Sequence, residues 1–283
     1  MKRTLKYKLI ICGSILLLIG AFCFIGPFIS AYGEYQVFYS GDGSIALIKA
    51  QPSWEHILGT DKNGQDIFTR LMYGGRLSLI VALCVVTTQV VIGSAVGLLS
   101  GYLGKKTDMV LMRIVDVFNS LPDIIIILIL SALAVTYGVA GREKIILLII
   151  FLSFFTWTSL AKLVRGQTLY LKEMEHVKVA ELCGVSTIGR LIKHILPGIT
   201  REIIAVVPIS IGGIILIEAS ISFLGFGLPY PYASWGNMLS AAMDLSVLKN
   251  NVNIWLPPGL LLMITVGAFN LFGEAVKEWS EQR

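Results

Sequence analysis

Long apolar runs separated by short polar connections dominate this chain. Six stretches, approximately 9–30, 77–102, 109–137, 145–164, 203–223 and 256–276, are apolar over about twenty residues or more. A hydrocarbon core about 30 Å thick takes roughly 20 apolar residues per helix, so each stretch is long enough to span. Within hydrocarbon every backbone N–H and C=O must bond inside its own segment, which makes the expected fold an all-α membrane protein with six transmembrane helices. Spanning strands would alternate apolar and polar over about ten residues, and that pattern does not occur. The runs divide the chain into an N-terminal transmembrane helix (1–30), an outer loop (31–76) and a five-helix core (77–283), with a polar connection at 166–198.

Composition agrees with this pattern. Of 283 residues, 55% are hydrophobic and 14% charged, against about 25% charged in soluble domains. A net charge of +5 would suit nucleic acid, but the basic residues lie between apolar runs, where they set orientation in the bilayer. With the N-terminus inside, sixteen of the 23 Lys and Arg face the cytoplasm, seven of them in the fourth connection (Lys162, Arg165, Lys172, Lys178, Arg190, Lys193, Arg201). Both termini are therefore expected in the cytoplasm. The first apolar run, 9–29, exceeds the roughly 7–15 residues of a secretory signal core and is read as a retained span. Cys12, Cys23, Cys84 and Cys183 have no metal or disulfide spacing and read as small buried hydrophobes.

Catalytic motifs are missing. The nearest approach to a phosphate-binding loop, GYLGKKTD, lacks the first glycine and the Ser/Thr after its lysine. GTDKNGQD resembles a calcium loop, but Gly64 falls two positions early. HExxH and GxSxG are absent, and His56, His176 and His194 have no ligand spacing. No catalytic residue and no metal site is assigned.

Three features within the apolar runs stand out. Gly93, Gly97 and Gly101 form a doubled GxxxG, which favours close helix packing within the chain over a dimer interface. Arg113 and Asp116, three apart at the start of the third span, are placed to neutralise each other, as a structural anchor or as charges on the translocation path. Glu218, in the outer third of the fifth span, is either a pathway residue or a structural hydrogen-bonding group. A carboxylate at a bilayer centre costs roughly 2.5–3.5 kcal/mol unless supported.

The stretch EHVKVAELCGVSTIGRLIKHILP, 175–197, is the most polar segment between two spans. It reads as a short helix stopped at Gly184, a turn with Ser186 as N-cap, and an amphipathic helix. In that second helix Ile188, Leu191, Ile192 and Ile195 share one face, Arg190 and Lys193 point elsewhere, and Pro197 ends it. Val177, Ala180 and Gly184 form a small-residue face suited to docking in a protein groove.

This stretch resembles the EAA loop of bacterial ABC importer permeases. Gly184 and Leu196-Pro197 match at the right spacing, and Lys178, Val179 and Ala180 occupy the Glu-Ala-Ala positions, with Glu181 supplying a carboxylate immediately after. HILGTDKNGQDIFTRLMYGGRLSL (56–79) and IEASISFLGFGLPYPYASWGNML (217–239) are similar to stretches of C-type oligopeptide, dipeptide and nickel permeases. The resemblance implies type I importer architecture in a bacterial cytoplasmic membrane, with Lys178, Ala180, Glu181, Gly184, Leu196 and Pro197 in an ATPase-coupling loop. It further implies a homologous B-type permease, two ABC ATPases and an extracytoplasmic binding protein as partners. ATP and Mg²⁺ would sit on the ATPases, and this chain would bind no cofactor and no nucleic acid. Peptides are the implied cargo, with nickel or a metal chelate as the alternative. A secondary transporter needing no ATPase is a remote one, since no internal repeat occurs. The outer loop is expected to contact the binding protein or to cover the path, and deleting 41–49 would test the docking role.

Overall fold

The computed structural model describes residues 3–39 and 46–281. Residues 40–45 of the outer loop lie outside them, as do Lys2 and Arg283 of the charge count. Among the described residues the chain is helical, apart from isolated β-bridges in the outer loop such as Val37 with Gln65 and Thr60 with Asp66.

Helix α1 (Arg3–Phe24) and the one-turn α2 (Gly26–Ile29) lead into the loop. Helix α3 (Ile67–Leu103) follows, then α4 (Lys105–Ser120), α5 (Asp123–Thr136) and α6 (Gly141–Lys172). Helices α7 (Glu175–Leu182) and α8 (Thr187–Arg190), with a π-helical turn at Leu191–Ile195, make up the polar connection. Helix α9 (Leu196–Phe223) returns through the apolar layer. Short α10 (Trp235–Leu239) and α11 (Leu245–Asn250), joined by a 3₁₀ turn, precede the last helix, α12 (Val252–Glu281).

Among the described residues five helices are long and apolar enough to cross a membrane, and there are six if α4 and α5, bent by 73° to each other, count as one broken span. The third apolar run was expected as one straight helix over 109–137. It breaks at Leu121-Pro122 because a residue before proline is pushed out of the α region, and Leu121 has ψ 135°. The second span starts at Ile67, ten residues before the expected 77. Asp66 accepts the Thr69 N–H at 2.8 Å and caps the helix there, ahead of the apolar run. At 1.5 Å per residue α3 is about 55 Å long, so both of its ends project beyond the hydrocarbon.

The glycine stripe sets the central crossing. A Cβ added at Gly97 would sit 2.6 Å from the Ala161 carbonyl, and one at Gly101 2.7 Å from Thr168 Cβ. Helices α3 and α6 therefore touch backbone to backbone along Gly93, Gly97 and Gly101, inside one chain. Helix α9 packs on α3 and α12, and α1 closes against α12 and α3. Cys12 and Cys23 are buried as expected, whereas Cys84 and Cys183 are exposed, because they lie on faces of α3 and of the α7 end that no other element covers.

Candidate functional site

Two regions collect the residues singled out by the sequence. At one end of the bundle, α7 ends in a paired turn. Val185 N–H bonds Ala180 C=O at 3.0 Å and Gly184 N–H bonds Glu181 C=O at 3.0 Å, with Gly184 at φ 78°. This is the Schellman arrangement, which needs a residue in the left-handed region at that glycine. Ser186 then caps α8 by accepting the Gly189 N–H at 3.2 Å.

The face expected to dock outward faces inward instead. Val177 is buried in a cluster with Tyr102, Leu160, Val164, Ile195 and Ile199, at the ends of α3, α6 and α9, and Ala180 is buried too, while Gly184 is exposed. A one-turn connection leaves α7 lying across those ends, so its small, apolar side must cover them. The exposed side carries Val179, Leu182 and Cys183, with Leu182 87% exposed. Lys178 is exposed and ion-pairs Glu173 at 2.9 Å. That hydrogen bond holds the Glu173 carboxyl below the usual carboxylate range.

Arg190 also departs from expectation. It is buried, ion-pairs Glu181, and lies over the Tyr102 ring at 5.5 Å from its centroid. Lys172 reaches the same residue, donating to the Tyr102 carbonyl at 2.7 Å. The tip of α7, the end of α8 and the ends of α3 and α6 are thus fastened to one tyrosine. The predicted apolar stripe splits: Leu191 and Ile195 are buried, Ile188 and Ile192 exposed. Pro197 does not end the helix. The wider π turn, with Leu196 N–H bonded five residues back to Leu191 C=O, takes up the proline's missing donor and ring, and the helix runs on as α9.

Asp116 pairs with Lys162 of α6 at 3.0 Å, while Arg113 is exposed. The expected neighbour lost because α4 packs against α6, which brings a cation of the neighbouring helix within ion-pair reach. Sequence reasoning missed a second tie there. Arg165 donates from Nε and Nη2 to the two carboxylate oxygens of Asp108, and Ser100 of α3 donates to Asp108 as well.

At the opposite end, the stretches 56–79 and 217–239 fold onto each other. Glu218 is fully buried and accepts hydrogen bonds from Ser78 Oγ at 2.9 Å and Ser222 Oγ at 2.7 Å. Ser222 Oγ in turn accepts the Leu228 N–H at 3.2 Å. Ser234 and Asn237 make a reciprocal capping box for α10. That box seats Trp235 so that its indole donates to Leu71 C=O at 3.0 Å. Arg70 pairs with Asp61 at 3.4 Å and donates to Pro231 C=O at 3.3 Å. His56 is buried and bonded through Nδ1 to Asp66 at 3.0 Å. In GTDKNGQD, Asp61 accepts the N–H groups of Asn63 and Gln65, so the carboxylates that resembled a calcium loop shape the turn and cap α3.

Comparison with known proteins places this architecture. Residues 93–283, more than half of the chain, match the family described as binding-protein-dependent transport system inner membrane component. The chain is 35% identical over 259 residues to the oligopeptide transport system permease protein OppC of Haemophilus influenzae, covering 90% of this chain and 80% of that one. It is 31% identical over 278 residues to the dipeptide transport system permease protein DppC of Bacillus subtilis, covering 98% and 82%. It is 33% identical over 261 residues to the glutathione transport system permease protein GsiD of Pectobacterium atrosepticum, covering 92% and 84%. This multi-pass helical chain belongs to the inner membrane components of binding-protein-dependent transport systems, the permease subunits of ABC importers.

Proposed function

We propose that this chain is the C-type permease of an ATP-driven peptide importer in a bacterial cytoplasmic membrane, with both termini in the cytoplasm. It shares one translocation path with a homologous B-type permease. Two ABC ATPases, which carry ATP and Mg²⁺, dock on the α7 elements of the two permeases, and a binding protein delivers cargo from outside. Support for peptide cargo comes from the similarity to the oligopeptide permease of Haemophilus influenzae and the dipeptide permease of Bacillus subtilis.

One observation carries the coupling role. Helix α7 offers Val179 and Leu182 outward while its other side is fixed to the ends of α3, α6 and α9. A force on the outward side cannot move α7 alone. Through Arg190, Tyr102 and the buried Val177 it moves three spanning helices together. Closure of the ATPases on ATP would therefore tilt the bundle, and product release would reset it. Lys178, Ala180, Glu181, Gly184, Leu196 and Pro197 serve this element by building its turn, its internal ties and its junction with α9 rather than by forming the contact surface.

Mild-detergent purification of the tagged chain from its native membrane, followed by mass spectrometry, tests the proposal. A second permease, P-loop ATPases and a binding protein are expected with it. Leu182→Asp is expected to release the ATPases and leave the second permease bound. Recovery of a stable chain alone, in every detergent tried, would overturn the assignment of partners.

A further inference from the structure

A cleft of about 370 Å³ opens where the bent crossing breaks, between α3, the α4–α5 junction, α6 and α9. Its size falls in the roughly 300–1,000 Å³ range of small-ligand sites. Thr156 and Ser210 on its wall stand at the middle of α6 and of α9, and Gln89 stands about one turn past the middle of α3. The cleft therefore lies near mid-depth of the apolar layer, and its lining is more polar than apolar, with Asn119, Asp123 and Ser159 completing it.

Two of these groups have work left to do. Gln89 is only 6% exposed, and its amide oxygen is buried without a hydrogen-bond partner. A buried polar atom left in that state costs about 1–3 kcal/mol, so its persistence points to something absent from the structure. Asp123 opens α5 directly after the Pro122 break, and its Oδ1 meets the adjoining Ile124 N–H at 2.8 Å. A carboxylate at this depth is expensive, and such residues mark substrate pathways when they face a cavity. Asn119, by contrast, is already engaged as acceptor of the Thr158 hydroxyl at 2.9 Å. The strongest acceptors with capacity left are the Gln89 amide oxygen and the Asp123 carboxylate, of which only Oδ1 is engaged, by a neighbouring N–H. Both accept hydrogen bonds, and one is negative.

We infer that Gln89 and Asp123 form a transit subsite that holds the primary ammonium of a passing peptide, Asp123 by charge and Gln89 by accepting an N–H. This rests on the peptide-importer reading and adds the point along the path where cargo is held. A subsite of this kind, shallow and partly open, lets cargo leave as readily as it enters. The break at Pro122 makes it adjustable, because a bend between two short helices changes shape more easily than a straight span.

Uptake of radiolabelled tri-alanine by the complete importer, normalised to the complex recovered, tests the assignment. Asp123→Asn and Gln89→Leu are each expected to lower uptake ten-fold or more. The second permease and the ATPases should remain bound in unchanged ratio, and ATP hydrolysis stimulated by the binding protein should be retained. Asp123→Glu, which keeps the charge, is expected within three-fold of the parent. Uptake within two-fold of the parent in both Asp123→Asn and Gln89→Leu would overturn the subsite and leave the importer reading standing. Loss of the second permease from either variant would also overturn it, by making the cleft a subunit contact. A parent complex that takes up no tri-alanine would defeat the cargo reading, and the subsite with it.

Discussion

Ser78 of α3 donates its hydroxyl to Glu218 of α9 at 2.9 Å, across 140 residues of sequence and with both side chains fully buried. This bond joins the two sequence stretches that flank the outer end of the bundle. Its geometry is that of the structural hydrogen-bonding role the sequence offered for Glu218 beside a pathway role. Its carboxylate oxygens are taken by Ser78 and Ser222, and they bridge helices rather than face a cavity.

Glu218→Gln is accordingly expected to transport within two-fold of the parent, since an amide oxygen still accepts a hydroxyl. Glu218→Ala removes both acceptors, leaves two buried hydroxyls unpaired, and should cost about 1–3 kcal/mol. Thermal unfolding in detergent together with uptake separates these outcomes. A large loss of uptake in Glu218→Gln at normal membrane level would return a pathway role to this residue.

The α3–α6 contact predicts opposite outcomes for two glycines. Gly97→Leu drives a side chain into the Ala161 carbonyl and Val164, and should abolish recovery of monodisperse protein on size exclusion. Gly166, in the exposed part of α6, has open space at its Cβ position. Gly166→Ala should stabilise by about 0.5–1 kcal/mol, the ordinary helix-interior difference between the two residues.

The tyrosine fastening predicts uncoupling. Arg190→Lys keeps the charge but loses the planar stack on Tyr102 and the fork geometry toward Glu181. Uptake should fall about ten-fold while the ATPases still co-purify, with ATP hydrolysis no longer matched to transport. Equal loss of ATPase binding and uptake would place Arg190 in the docking surface instead.

One tie should respond to acid. Asp244 lies below the usual carboxylate range, held there first by the Ser246 N–H and then by Lys49, whose Nζ is 3.3 Å away. A depressed carboxyl contributes fully above its unfolded pKa of about 3.9, and its contribution fades as pH falls through the lower folded value. Hydrogen exchange at Lys49 and Ala50 should therefore be unchanged from neutral pH down to about 4 and accelerate only below it, after correction for intrinsic rates. Asp244→Asn should show the faster exchange at every pH.

Several features were legible because they depend only on local chemistry. Gly184 at positive φ and Ser186 as a cap follow from what those residue types do at helix ends. Intrachain packing of the Gly93–Gly97–Gly101 stripe follows from spacing alone. In the connection 166–198 several expectations failed, although Leu191 and Ile195 are buried and Lys193 is exposed as expected. Val177 and Ala180 turned inward, Arg190 was buried, and Pro197 was absorbed by a π turn, because each outcome depends on the ends of α3, α6 and α9 that the segment lies across.

By itself the sequence determined the membrane environment, the helical class and local stops such as Gly184 and Ser186, since apolar length and terminal chemistry act within a few residues. Tertiary structure alone decided the partners. Asp116 went to Lys162 instead of Arg113, Glu218 to Ser78, and the Gln89 amide oxygen to no partner among the described residues. Those choices rest on distances between helices, and a buried charge or amide takes whichever neighbour the packing brings within about 3 Å.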